Sequence, residues 1–311
     1  MTPPSVRIAT RGSALALAQT QLVAERLAAA HRQVRVEVVT VQTQGDRQQH
    51  SPLWKLEGYG FFTTQVEAAL LDGRADVAVH SFKDMPTQAT EHLTMGAIFQ
   101  RLYPEDAVVA RGNPAGLDDV PAGARVGTSS PRRIAQLKAL RPDLEVMPLR
   151  GNVQTRIQKV RDGECDAVIL ARAGLERLGL ADQIAFCFDP TDFVPAAAQG
   201  ALAIQTRADD AAMRRLVACL HDTPTATAVQ AERAVLSALH PGCHAPVGVF
   251  ARCMDDEIEI IALAARLEGV PILRRQVRGA AGDAMALADE LVQRLRAGGV
   301  EDIIKPFEDK P

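Results

Sequence analysis

The stretch HPGCHAPVG (240–248) sets Cys243 between two prolines, with His240 before it and His244 directly after. A thiol so placed could ligate a metal, act as a nucleophile, anchor a covalent group or fill space. The other chemistry-bearing residues gather behind apolar, strand-like runs. After RIAT come Arg11 and Ser13, and after DVAVH come Ser81, Lys83 and Asp84. The run RVGT ends on Thr128 and leads into Ser129, Ser130, Arg132 and Arg133. Arg150 follows VMPL, with Arg156 a turn into the next helix. Arg172 follows VILA, with Arg177 slightly further on. Open α/β sheets bind ligands beyond the carboxyl ends of their strands, and here nearly every such end delivers a cation.

Two of these ends read as helix starts. In GTSSPRRIAQL, Ser130 suits an N-cap and Pro131 the first helical position. Arg132 and Arg133 then fall in the first turn, where the helix dipole disfavours a cation by roughly a few tenths of a kcal/mol. LRGNVQTR repeats the arrangement, with Arg150 before the cap Asn152 and Arg156 after it. Arginines beside free N–H groups make an anion site, and the planar guanidinium fork fits a carboxylate or a phosphate. Neither G-x-x-x-x-G-K-[ST] nor G-x-G-x-x-G occurs, so no nucleotide motif supports a phosphate. Several separate arginines suit a ligand with several separate carboxylates. Asp84 is the acidic exception in this lining. It could neutralise its neighbours, or it could stabilise a developing cation and move a proton.

The elements that must carry these residues alternate. VRIAT (6–10), a helix over 14–30, a strand over 34–43, a helix over 61–73 and a strand over 75–82 give a βαβαβ rhythm, hence a largely parallel sheet covered by helices. It restarts with strands at 106–111 and 124–128, a helix from 131 to 140, a strand at 144–149, a helix to 162 and a strand at 166–171. No sequence repeat is evident between the two units. A strand and a helix near 200–222 have no place in the sheet order that pattern alone can assign. From Thr225 the character changes to a helix, three alternating runs (247–253, 257–267, 270–278) with a turn between the last two, and a helix over 283–297. That reads as a small α+β domain with antiparallel strands.

The bulk numbers exclude more than they identify. A chain of 311 residues is long enough for two or three domains. The net charge of −3 gives no global attraction to nucleic acid or membrane, although 29 of the 35 basic residues are arginine. No apolar run has the length of a membrane span. The N-terminus lacks the pattern of a secretory signal. Five cysteines without a C-x-x-C pair suit a reducing cytoplasm.

Together, and in order, RIATRGSALALAQ, ADVAVHSFKDMP, GTSSPRR, LRGNVQTR, DAVILARAGLERLGL and PGCHAPVG resemble the hydroxymethylbilane synthase (porphobilinogen deaminase) family over almost the whole chain. The resemblance implies two α/β domains like the lobes of type II periplasmic binding proteins plus a small C-terminal α+β domain. Their extents would be 1–99 with 200–218, 105–194 and 222–311. It implies a monomeric transferase of tetrapyrrole biosynthesis that works on the small molecule porphobilinogen. It also implies a dipyrromethane cofactor held by Cys243 through a thioether. Four porphobilinogen units are added to that primer, each losing ammonia, and the tetrapyrrole is released by hydrolysis. By motif match Asp84 is catalytic, its buried carboxylate contacting pyrrole N–H groups. Ser81, Lys83, Thr128, Ser129, Ser130, Arg132, Arg133 and Gln199 fall to the cofactor. Arg11, Ser13, Phe62, Arg150, Arg156 and Arg177 fall to the substrate or chain carboxylates.

Three departures stand out. EGYGFF (57–62) replaces a GGKGLF-like stretch, with Tyr59 in place of the lysine. Ala198 stands where glycine is usual before Gln199, which implies a stiffer crossing. Pro241 and His244 differ from many members. Two rival readings remain at this stage. One is a non-catalytic polycarboxylate-binding protein of the periplasmic-binding type. The other is a metal site of His240, Cys243 and His244, which lacks a fourth ligand and has an awkward Cys-His adjacency; no metal is expected.

Overall fold

In the computed structural model, the residues described are 5–42, 63–239 and 245–305. The chain divides into two compact units, one of residues 1–102 with 200–226 and one of 103–199 with 227–311.

The first unit is built on a five-stranded sheet of order β2-β1-β3-β10-β4. Its strands are β1 (Ser5–Arg11), β2 (Arg35–Val41), β3 (Val77–Ser81), β4 (Leu93–Phe99) and β10 (Leu202–Arg207). β1 runs parallel to β2 and β3, while β10 is antiparallel to both β3 and β4. The strand near 200 therefore returns to the first sheet. Alternate residues of each strand face opposite sides. Val6, Ile8, Val77, Val79 and Ile204 meet Val23 and Leu27 of α1 (Ala14–Ala30) on one face. Ala9 and Ala78 meet Val66 and Leu70 of α2 (Thr64–Leu71) on the other.

The second unit holds another five-stranded sheet, of order β7-β6-β8-β5-β9. Its strands are β5 (Asp106–Ala110), β6 (Arg125–Gly127), β7 (Glu145–Met147), β8 (Ala167–Ala171) and β9 (Phe186–Cys187). β6 is parallel to β7 and β8, and β5 is the antiparallel member between β8 and β9. Renumbered within each unit, both sheets read second, first, third, crossing strand, fourth. The shared order bears out the expected α/β class with two similar sheets. α3 (Pro131–Leu140), α4 (Val153–Arg161) and α5 (Arg172–Arg177) cover it.

Each sheet also has its own clasp at the amino ends of its strands. Asp76 accepts from the Arg7 backbone N–H at 3.0 Å and its guanidinium at 2.8 Å, with Arg207 at 3.6 Å. Asp166 accepts from the Arg125 backbone N–H at 2.9 Å and its Nε at 3.2 Å, with Arg111 at 3.9 Å. The expectation of no repeat is corrected here: both aspartates close a D-G-x-x-D segment, 72–76 and 162–166.

The second unit also contains α6's successor in the chain, α7 (Thr223–Leu239), for all but its first residues. α6 itself (Ala211–Val217) belongs to the first unit. The antiparallel sheet β11 (Val247–Met254), β12 (Glu257–Ala265), β13 (Ile272–Ala280) follows, with α8 (Ala284–Ala297) and α9 (Val300–Ile304). Ile258, Ile260 and Ala262 pack on Val235, Leu291 and Leu295. The opposite face, with Phe250, Ile261 and Leu263, packs on Ala135 and Val194. No helix among the described residues is long and apolar enough to cross a membrane.

Candidate functional site

In the first unit, β1 delivers Arg11 and then Ser13, whose Oγ caps α1 by accepting from the Ala16 N–H at 3.2 Å. β3 delivers Ser81, paired through its Oγ with the side-chain amide of Gln19 at 2.9 Å. A 3-10 turn, Phe82–Asp84, follows directly. Phe82 and Met85 are buried and clamp the turn, while Lys83 is half-buried and Asp84 is exposed. The expected burial of the Asp84 carboxylate is thus corrected: Phe82 and Met85 take the buried positions of the turn and leave Asp84 exposed. Beneath it, His80 is satisfied: its Nε2 lies 3.1 Å from Gln205 Oε1, and Gln205 Nε2 donates to Glu67 at 2.9 Å. The carboxylate fixes the amide orientation, so Oε1 faces the ring and Nε2 carries the proton. Burial first, against weaker opposing pulls from Glu67, Gln205 and Asp84, brings His80 down to about 4.

In the second unit the cations converge. Ser130 stands at the α3 N-cap without a side-chain cap bond, and its N–H donates to Thr128 Oγ1 at 3.2 Å. Ser129 Oγ donates to the Leu149 carbonyl and accepts from the Leu149 N–H, both at 2.9 Å. Arg132 and Arg133 are 5% and 7% exposed, so they are not a solvated surface pair. Both reach Asp106, which is fully buried, at 2.7 Å and 2.6 Å. Gln199 Nε2 donates to the same carboxylate at 3.0 Å and to the Pro104 carbonyl at 2.8 Å. Asp106 opens β5 and was not singled out by sequence; its only signal was an acidic residue starting an apolar strand.

Asn152 caps α4, its Oδ1 accepting from the Thr155 N–H at 2.8 Å, and this places Arg156 in the first turn. Burial, then Arg133 and Arg150, push Arg156 down to about 10. Burial alone lowers Arg150, and brings Arg177 to about 10. The buried Nη2 of Arg150 has no hydrogen-bond partner among the described residues. Arg133, Arg150 and Arg156 are therefore one electrostatic cluster in which, among the described residues, only Arg133 meets a carboxylate, and it fits a polycarboxylate ligand. Cys243, Phe62, Tyr59, His240, Pro241 and His244 lie outside the described residues. Ala198 has φ +61°, the left-handed region that glycine favours. Its N–H donates to the buried Glu232 carboxylate at 2.6 Å.

The family profile described as "Porphobilinogen deaminase, dipyromethane cofactor binding domain" matches residues 6–215, and that of the porphobilinogen deaminase C-terminal domain matches 226–297. The chain belongs to the porphobilinogen deaminase family. It is 41% identical over 305 residues to the porphobilinogen deaminase of Syntrophobacter fumaroxidans, covering 98% of each chain. It is 44% identical over 299 residues to that of Desulforudis audaxviator, covering 96% of each. Among solved structures it is similar to the methionine binding protein MetQ, at 13% identity and a TM-score of 0.45, over 69% of this chain and 89% of that one. The arginines at the two helix starts and Asp84 all lie within the segment matched as the cofactor-binding domain of porphobilinogen deaminases.

Proposed function

We propose that this chain is a hydroxymethylbilane synthase, a transferase that joins porphobilinogen units head to tail with loss of ammonia and releases the linear tetrapyrrole by hydrolysis. The observation that carries the reading is the Arg133, Arg150 and Arg156 cluster at two helix starts, in a chain of this family. Each pyrrole bears an acetate and a propionate, so a growing chain offers carboxylates to Arg150 and Arg156, which meet none among the described residues. Bound through Cys243, a dipyrromethane would supply the free pyrrole carbon to which the first unit is joined, each later unit extending the chain end.

The chain's own residues do the rest. Arg132 and Arg133, with the hydroxyls of Ser81, Thr128, Ser129 and Ser130, Lys83 and Gln199, hold the primer. Arg11, Ser13, Phe62, Arg150, Arg156 and Arg177 hold the carboxylates of substrate and chain. Asp84 faces the pyrrole N–H groups, stabilises the positive charge that develops as ammonia leaves, and takes up a proton. Substrate drawn over Asp84 would supply the burial that the free carboxylate lacks. The domain extents 1–99 with 200–218, 105–194 and 222–311 belong to the same reading, as do a monomeric state and a cytoplasmic site of action. The cysteine pattern supports the last of these.

Intact-protein mass spectrometry of the wild type and Cys243→Ser tests the proposal. The expected wild-type adduct equals two porphobilinogen units less their ammonia, and it is absent from the variant. No adduct after incubation with porphobilinogen would leave a non-catalytic polycarboxylate-binding protein as the better account.

A further inference from the structure

The pairing of Arg132 and Arg133 is unequal. Two guanidinium groups, each more than nine-tenths buried, share one carboxylate. Asp106 Oδ2 accepts from Arg132 Nη1 at 2.7 Å. Its Oδ1 accepts from Arg133 Nη2 at 2.6 Å, Arg133 Nε at 3.1 Å and Gln199 Nε2 at 3.0 Å. Main-chain carbonyls hold the guanidiniums from other sides: Val194 takes Arg132 Nη1 and Ile169 takes Arg133 Nη1, both at 2.8 Å. A buried pair that served stability alone would be matched one to one, because an uncompensated buried charge costs several kcal/mol. Among the described residues one positive charge is left over here. Arg133 also repels Arg156, being among the causes that lower that group.

We infer that Asp106 is a positioning residue of this site: it fixes both guanidinium forks in one arrangement and leaves them a single surplus positive charge, to be met by a ligand carboxylate. The inference rests on the function proposed above. Asp106 does not itself reach the ligand. Its Oδ1 already accepts three hydrogen bonds, and Gln199 locks the carboxylate by also donating to the Pro104 and Glu105 carbonyls at 2.8 Å and 3.2 Å. Its effect passes through Arg132 and Arg133, whose forks match a carboxylate only when they are preorganised. The same cluster accounts for the burial of two arginines in the first turn of α3, where the helix dipole opposes them. The carboxylate bonded to both guanidiniums supplies the negative charge that offsets the cost.

The test uses the full chain and two variants. Asp106→Asn removes the charge and keeps the shape; Asp106→Glu keeps the charge and displaces the oxygens by one methylene. Folding is followed by circular dichroism, adduct formation on incubation with porphobilinogen by intact mass, and turnover at varied porphobilinogen. A positioning role predicts that folded Asp106→Glu forms the adduct about tenfold more slowly. Once loaded, its kcat falls by about the same factor while KM for porphobilinogen stays within about threefold, because Arg132 and Arg133 hold the primer and other residues hold the substrate. Asp106→Asn is expected to be worse on both counts. Wild-type loading and kcat in Asp106→Glu overturn the inference, whether Asp106→Asn folds or not, and reduce Asp106 to a counter-ion of the fold. A wild type that never forms the adduct is a different result and refutes the proposed function itself.

Discussion

His80 is the group through which the first unit should feel mild acid. In an unfolded chain a histidine titrates near 6.5, whereas burial brings His80 down to about 4 in the fold. The depressed value means that the native state holds the neutral ring. Its contribution is complete above the unfolded value and is lost as the pH falls from about 6.5 to about 4. Between pH 7 and pH 4.5 the two values imply a loss of about 2 kcal/mol, from the linkage of proton binding to unfolding. The paired carboxylates contribute little in that interval, because Asp76, Asp106 and Asp166 are all held below the ordinary carboxylate value and lose their stabilisation only at lower pH. The assay compares wild type and His80→Gln by hydrogen exchange of the β3 amides at pH 7 and pH 4.5. A titration of the imidazole proton resonances accompanies it, the variant identifying the signal of His80. Wild type should lose about 2 kcal/mol more protection than the variant across the interval. A resonance missing from His80→Gln that titrates near 6.5 in folded protein would refute the reasoning, as would equal pH dependence in the two proteins.

Asp84→Asn should leave the thermal midpoint within a degree or two, since the carboxylate is exposed, yet lower kcat by about a hundredfold or more. Near-normal steady-state turnover would remove it from the chemistry. Asp76→Asn should cost about 2 kcal/mol in urea unfolding. Asp166→Asn should cost less, because its side chain is 35% exposed against 14% and water screens its partners more; the reverse order would contradict the ranking by exposure. Gly248→Val should destabilise the second unit by about 1–3 kcal/mol. A Cβ at Gly248 would stand 2.6 Å from the Val194 carbonyl oxygen, and a midpoint unchanged by the valine would show that this approach is slack.

Periodicity was sufficient where an element is both long and one-sided. α1 occupies Ala14–Ala30 and α3 Pro131–Leu140, as the apolar spacing and the Ser130-Pro131 start require. β4 gives no clear period because Thr94 and Gly96 interrupt its apolar run. Gly96 is there for packing, since a Cβ would meet Val217 of α6 at 2.8 Å. β9 is two residues long and has no period to detect. The cationic strand ends were legible as residue types, but their electrostatic state was not. Nothing in GTSSPRR shows that both arginines turn inward onto a carboxylate 26 and 27 residues away in sequence. The placement of the strand near 200 likewise depends on a long-range antiparallel pairing with β3 and β4, which carries no local signal.

The repeated D-G-x-x-D segment separates what holds each sheet from what acts on it. Gly73 and Gly163 follow the helices α2 and α4 at φ +68° and +76°, a backbone state that glycine enters without strain. Asp76 and Asp166 then accept from an arginine at the start of the first strand of each sheet. Both requirements belong to the turn from helix to strand at the amino ends, and either unit would lose its clasp without them. At the carboxyl ends of the same two strands the resemblance stops. β3 leads into Ser81, Lys83 and Asp84, while β8 leads into Arg172 of α5, which pairs with Glu176 at 3.0 Å. One topology used twice thus carries an acidic residue in one unit and the arginine cluster in the other. That division is what a reaction needs if it must both hold carboxylates and stabilise a cation. A substitution at Asp76 or Asp166 should therefore change stability at constant KM, and one at Asp84 should change kcat at constant stability.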